Sequence, residues 1–280
     1  PWPGSVAIYR SPDSSGYVLA SRALAPAVTG VTLDALPAGP EGRLDRASSV
    51  RVRLDRGALA SVTETAMLSG ANAAAVETSP GRWEVLQFTS AELAAPLTYR
   101  LSLLLRAQAG SDDAMSASVA AGARFVLLDA SLARIDLSGA DLGLPLSWRY
   151  GPAGQAIGSA GFVTRTHAFQ GRGLVPLSPC HVRGHRSGGD LTISWVRRTR
   201  LSGDSWDQVE VPLGEDSESY AVDILDGATV KRTLISSTPS ALYSAAAQTA
   251  DFGAPPATVD VRVHHLSATR GRGTPRPATI

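Results

Sequence analysis

The chain has 280 residues, 44% of them apolar, and a formal net charge of +1. The even balance of 26 Lys and Arg against 25 Asp and Glu lacks the basic excess of a general nucleic-acid binder. Cys180 is the one cysteine, which excludes a disulfide within the chain, and nowhere do about eighteen apolar residues run together as a membrane span requires.

The length suits one large domain or two ordinary ones, each able to bury a core. The sequence opens at Pro1-Trp2-Pro3-Gly4 without Met, and is expected to be a block of a longer protein. Lys231 is the only lysine, and the Arg, Ala and Gly usage fits the codon bias of a GC-rich genome.

Taken in chain order, the apolar residues recur with period two. Val50, Val52 and Leu54 alternate with Arg51 and Arg53, and Leu86 and Phe88 oppose Trp83 and Val85. In "TYRLSLLLRAQAGSDDAM", Thr98 to Met115, the spacing predicts Tyr99, Leu101, Leu103 and Leu105 on one face, with Leu104 out of pattern. Arg106 follows at the strand end. Its expected role is structural, a salt bridge or a carbonyl contact, with an inter-subunit contact as the alternative.

After Ser111 the stretch "DAMSASVAAGARFVLLD" predicts a short helix and then a strand from Arg124 to Leu128. Leu144, Leu146, Trp148 and Tyr150 predict another strand. From "PLSP" onward the expected strands are Cys180–Arg186, Leu191–Arg197, Ser219–Leu225, Val230–Ile235, Ala241–Ala245, Val259–Leu266 and Gly273–Thr279, with a helical turn near Ala245 to Ala247. Turn-rich intervals such as "RSGGD", "LDGA" and "FGAPP" separate them. Short strands so spaced predict an all-β protein. The expected organisation is a β-rich domain over 1–110, a connecting region with a hairpin over 111–175, and a sandwich over 176–280.

Within that last segment Trp195 sits mid-strand and Tyr220 opens the next strand, an order that resembles a fibronectin type III domain. Longer phrases extend the resemblance. "PWPGSVAIYRS", "WEVLQFTSAELAAPLTYRLSLLLRAQAG", "SWRYGPAG", the run from "PLSPCHV" to "AVDIL" and "QTADFGAPPATVDVRV" resemble the C-terminal part of the large baseplate tail protein of gene transfer agents and siphophage-like tails, the so-called megatron or host-specificity family. "LLRAQAG" is similar to that family's Leu-Leu-Arg-Gly-Gln-x-Gly, with Ala107 in place of Gly, so the sequence gives no ground for a positive φ at 107.

The resemblance implies a structural role in a tail baseplate, in a virion-like particle whose tip meets the host envelope and passes DNA. It implies other tail proteins as partners and a homotrimeric arrangement. The longer relatives carry a glycoside-hydrolase-like barrel upstream, and its activity does not transfer to these residues.

Chemistry in the residues themselves is sparse. Cys180, His181 and His185 could offer soft and imidazole ligands, but on a strand the two histidines share a face and Cys180 lies on the other. No metal or cofactor is expected. His264 and His265 end a strand, one expected to cap it and the other to face water. The carboxylates Glu215, Asp216 and Glu218, like Asp112 and Asp113, lie in Gly- and Ser-flanked runs expected to be solvated turns, so no catalytic pair is expected. Arg197, Arg198 and Arg200 approach Trp206 in "WVRRTRLSGDSWD", and Arg with Trp is the composition of interface hot spots. That segment is the expected partner-contacting surface. The rival reading is a carbohydrate-binding or accessory sandwich of an extracellular glycosidase, which would carry exposed aromatics on a flat face.

Overall fold

In a computed structural model, residues 2–203 and 211–280 are described. The protein is all-β: strand accounts for 47% of the residues and helix for 8%. It divides into two units, Pro1–Gly171 and Arg172–Ile280.

The first unit contains β1 (Val6–Ser11), β2 (Val18–Ala23), β3 (Thr29–Thr32), β4 (Leu36–Pro37), β5 (Asp45–Leu54), α1 (Glu64–Leu68), β6 (Ala73–Ser79), β7 (Arg82–Ala95), β8 (Thr98–Gln108), β9 (Ser118–Val119), β10 (Arg124–Leu127), β11 (Leu146–Pro152) and β12 (Val163–His167). Six of these strands close a barrel in the order β10-β3-β5-β8-β7-β6. The alternation explains the closure. Val50, Val52 and Leu54 turn inward with Leu86, Phe88, Leu101 and Phe125 to make one core, while Arg51 and Arg53 face out. Arg51 pairs there with Asp34 at 2.7 Å.

The expected boundaries change in this unit. The 111–175 segment is not a separate connector. Phe125 of β10 registers with Gly30 on one side and Val76 on the other, which completes the barrel. β11 then pairs with β1, giving a second sheet in the order β12-β11-β1-β2. Four residues suffice for β10, because Phe125 and Leu127 pack into the core that its partners close. Instead of the expected helix, only a 3-10 turn forms at Asp112–Ala114.

The inward face of β8 also departs from simple alternation. Tyr99 and Leu101 are buried as expected, but the next buried positions are Leu104 and Arg106, while Leu103 and Leu105 are half-buried. Leu103 adopts φ 54°, and across this left-handed residue the buried face of β8 changes parity while its register with β7 is kept, Ser102 opposite Ser90 and Leu104 opposite Phe88. Ala107 likewise has φ 55°, so the turn after Arg106 does use the left-handed region despite its Cβ.

That change of parity carries Arg106 into the barrel wall, where it is fully buried. Its Nε donates to Glu84 Oε1 at 2.7 Å and one Nη to Glu84 Oε2 at 2.9 Å, a two-pronged pair with an equally buried carboxylate. Nη1 donates to the Pro37 carbonyl at 2.8 Å and lies 3.8 Å from Asp45. Burial pushes the Asp45 carboxyl up, but the Ser48 and Ala47 amides and the Arg106 charge outweigh it and hold it below the ordinary carboxylate value. Gly39 packs so closely that a Cβ there would stand 2.6 Å from Asp45 Oδ2 and 2.8 Å from Arg106 Cγ. Arg106 therefore makes both the salt bridge and the carbonyl contact, tying β7, β8 and the β4 segment together.

The second unit contains β13 (Cys180–Ser187), β14 (Asp190–Val196), β15 (Tyr220–Asp226), β16 (Thr229–Ser236), β17 (Ser240–Tyr243), α2 (Ala245–Phe252), β18 (Asp260–Ser267), β19 (Gly271–Arg272) and β20 (Arg276–Thr279). One sheet runs β13-β14-β17, and the other runs β16-β15-β18 with β19 and β20 on the outer side of β18. Leu191, Ile193, Trp195 and Tyr243 of the first sheet share a core with Tyr220, Val222, Ile224, Val261 and Val263 of the second. This is a two-sheet sandwich. The helical turn expected near Ala245 is α2, capped by the Ser244 side chain on the Ala247 amide and stopped at Gly253 with φ 82°. A Cβ on Gly253 would meet nothing within 4 Å, so its replacement is opposed by backbone conformation alone. Gly253→Ala is expected to lower stability by about 1 kcal/mol, read as a shift of the urea midpoint.

Candidate functional site

The arginine segment singled out in the sequence leaves β14 at Val196. Its Trp206 lies outside the described residues. Arg197 donates through its two terminal nitrogens to the carbonyls of Pro212 (2.8 Å) and Val211 (3.1 Å), and its Nε lies 3.8 Å from Glu218. Arg200 donates to the Gly214 carbonyl at 2.7 Å and to Glu215 at 2.9 Å. Arg198 reaches the Ser178 carbonyl at 3.3 Å. Two of the three guanidinium groups thus hold the segment that returns to β15. The same hydrogen-bonding capacity that suits arginine to a partner here binds the loop to itself.

Glu215 is therefore not a solvated turn residue as expected. Its side chain is 6% exposed and ion-paired with Arg200. Glu218 accepts from the Tyr220 hydroxyl at 2.7 Å. Burial, with the Glu218 carboxylate beside it, raises the Tyr220 hydroxyl well above its ordinary value. The Tyr220 ring meets Trp195 edge-on at 5.0 Å and stacks on His265 at 5.1 Å.

The two histidines are both buried, against the expectation that one would face water. His265 follows the inward parity of Val261 and Val263, and its neighbour His264 meets Asp223 and the Gly273 carbonyl on the other face. Burial lowers the His265 pKa from its ordinary 6.5. Glu215 and Glu218 oppose that shift, while Arg197 and Arg200 reinforce it. With the folded value below the unfolded one, the neutral ring is favoured by folding. The stabilisation is complete above pH 6.5 and is lost as pH falls from there toward the depressed folded value. The urea midpoint of the wild type is expected to fall between pH 7 and pH 5 more than that of His265→Phe, whose ring cannot take a proton; equal slopes in a pH series would contradict this assignment.

Cys180, His181 and His185 line the outer strand of the first sheet. His181 has φ 53° and the pairing of β13 with β14 shifts between Cys180 and Arg183. This bulge opens a cleft of about 370 Å³ between His181, Arg183, Ser194, Trp195 and Val196. Among the described residues no group of three or more His, Cys, Asp or Glu side chains converges as a metal would require. Sequence patterning missed the buried Arg106 pair as a unit, because Glu84 lies 22 positions before Arg106 on another strand.

Residues 27–126 match the family model described as Rcc01698-like, C-terminal. The matched stretch begins just before β3 and ends within β10, so it contains nearly the whole closed barrel, including Arg106, Glu84 and Asp45. No curated protein matches the chain. Among solved structures, the rat CD45 extracellular region, domains d3-d4, aligns at a TM-score of 0.27 and 9% identity over 55% of this chain and 71% of that one.

Proposed function

We propose that this chain is a non-enzymatic structural block of a phage-like tail baseplate of the gene transfer agent type. Its barrel would pack within the baseplate hub, and its C-terminal sandwich, fibronectin type III-like, would help build the tip that meets the host envelope. The partners are other tail proteins and, in the particle, two further copies of the chain.

The observation that carries this reading is the run of long phrases from "PWPGSVAIYRS" to "QTADFGAPPATVDVRV" that resemble the baseplate family across most of the chain. The Rcc01698-like match over 27–126 supports it for the barrel. The sandwich of three strands facing five, with Trp195 against Tyr220, supports the fibronectin-like part. Function drawn from fold alone is analogy, so the test is placement. Electron microscopy of particles labelled at the C-terminus of this chain is expected to put the label in threefold density at the tail tip. A label absent from particles, together with glycan binding by the purified chain, would replace this reading by the accessory-module alternative.

A further inference from the structure

The second sheet of the N-terminal unit, β12-β11-β1-β2, carries a cleft of about 270 Å³ on one face. Its walls expose only apolar atoms, contributed by Ile8, Ile135, Trp148, Tyr150 and Phe169, with Arg165 and His167 along the β12 side. The register explains the grouping. Ile8 pairs with Tyr150, and Trp148 with Arg165, so their side chains share a face.

The walls are fixed by their own contacts. Phe169 meets Trp148 edge-on at 5.5 Å and His167 at 4.5 Å, and Trp148 Nε1 donates to the His167 carbonyl at 3.3 Å. The chain between β10 and β11 is laid over the same face by Arg10 to Asp141 at 2.9 Å and by Ser21 Oγ to the Arg134 carbonyl at 2.6 Å. A cleft so built is formed before anything enters it.

Three features of this place point to one kind of occupant. The cleft is smaller than the pockets that enclose drug-sized ligands and suits a single ring. Arg165 is exposed and has no ion-pair partner among the described residues, so its positive charge stands on the β12 side of the mouth. Of the carboxylates on the covering segment, Asp141 is held by Arg10 at 2.9 Å and Asp136, next to Ile135, pairs with Arg134 at 3.0 Å. β12 is the sheet's edge, all five of its residues are exposed, and among the described residues no strand lies beside its outer backbone groups. Such an edge accepts an extended chain.

We propose that the β12 edge and its cleft dock an extended segment of a partner protein that carries an aromatic residue close to a carboxylate. The ring enters between Trp148, Tyr150 and Ile135. The carboxylate meets Arg165, and the segment's backbone lies along β12. The proposal stands on this unit's geometry and does not depend on the baseplate reading.

A random library of short peptides displayed on phage and selected on the full chain tests it. Enriched peptides are expected to combine Phe, Tyr or Trp with a nearby Asp or Glu. Measured as synthetic peptides by fluorescence anisotropy, they are expected to lose about tenfold in affinity on Arg165→Glu, by charge reversal at the mouth. Ile135→Glu, which puts a carboxylate into the apolar wall, is expected to weaken binding to a similar degree, and N-methylation of the peptide backbone to weaken it as well. Both substituted positions are exposed or half-buried, and a thermal transition equal to that of the wild type confirms folding. No enrichment, enrichment without the acidic or aromatic residue, or affinity unchanged by Arg165→Glu would each overturn the proposal.

Discussion

Arg106→Ala is expected to lower the stability of the barrel by about 3–5 kcal/mol, enough to unfold a marginal domain. The reason is what the substitution leaves behind. Glu84 is fully buried and takes both prongs of the guanidinium, so its carboxylate would remain in the barrel wall without a counter-charge. Asp45 would lose its nearest cation, and the Pro37 carbonyl its donor. Arg106→Lys is expected to fall nearly as far, since one ammonium cannot reproduce two parallel bonds and the carbonyl contact together. The paired change Arg106→Met with Glu84→Leu is expected to recover part of the loss, because the Glu84 charge is removed with its partner, while Asp45 keeps only the Ala47 and Ser48 amides. Chemical denaturation of the four proteins checks this. Equal loss in the single and paired variants would mean that packing volume, not charge, governs the site.

Trp195→Ala is the second large effect, at about 3–5 kcal/mol on the sandwich. Trp195 is 4% exposed, and its ring packs on Tyr220, which in turn stacks on His265. Removing it opens a void between the two sheets that Ile193 and Tyr243 cannot fill, because each is itself fully buried against other partners. A double-mutant cycle with Tyr220→Leu is expected to show a coupling of about 0.5–1.5 kcal/mol from the edge-on contact. A cycle that closes at zero would assign the whole effect to lost burial.

The alternation of apolar and polar residues made the strands legible because each sheet buries one face. The expected Leu191–Arg197 and Ser219–Leu225 are observed as Asp190–Val196 and Tyr220–Asp226. Pairing across distance was not legible. The strand expected from Arg124 to Leu128 is observed as Arg124–Leu127, but its place between β3 and β6 follows from partners as distant as Gly30 and Val76. β8 misled at Leu103 because a left-handed residue shifts parity without any glycine to announce it. The arginines of 197–200 were legible as a cluster but not as to what they hold, since the carbonyls of Val211, Pro212 and Gly214 carry no side-chain signal. The cleft beside β12 was hidden for the same reason: Trp148 and Tyr150 read as an ordinary strand face until β1 and Phe169 are set around them.

The pairing of β1 with β11 also constrains how the chain folds as it is made. The Arg10 to Asp141 bond closes a loop of 131 positions, with the whole barrel inside it. Until Leu146–Pro152 has left the ribosome, β1 and β2 are a two-stranded hairpin with no third strand, which is barely stable in water. The barrel can assemble first, from strands that are all present by Leu127. The second sheet must then wait, and contacts so distant in sequence form slowly. Its open hairpin is exposed to mispairing until β11 arrives.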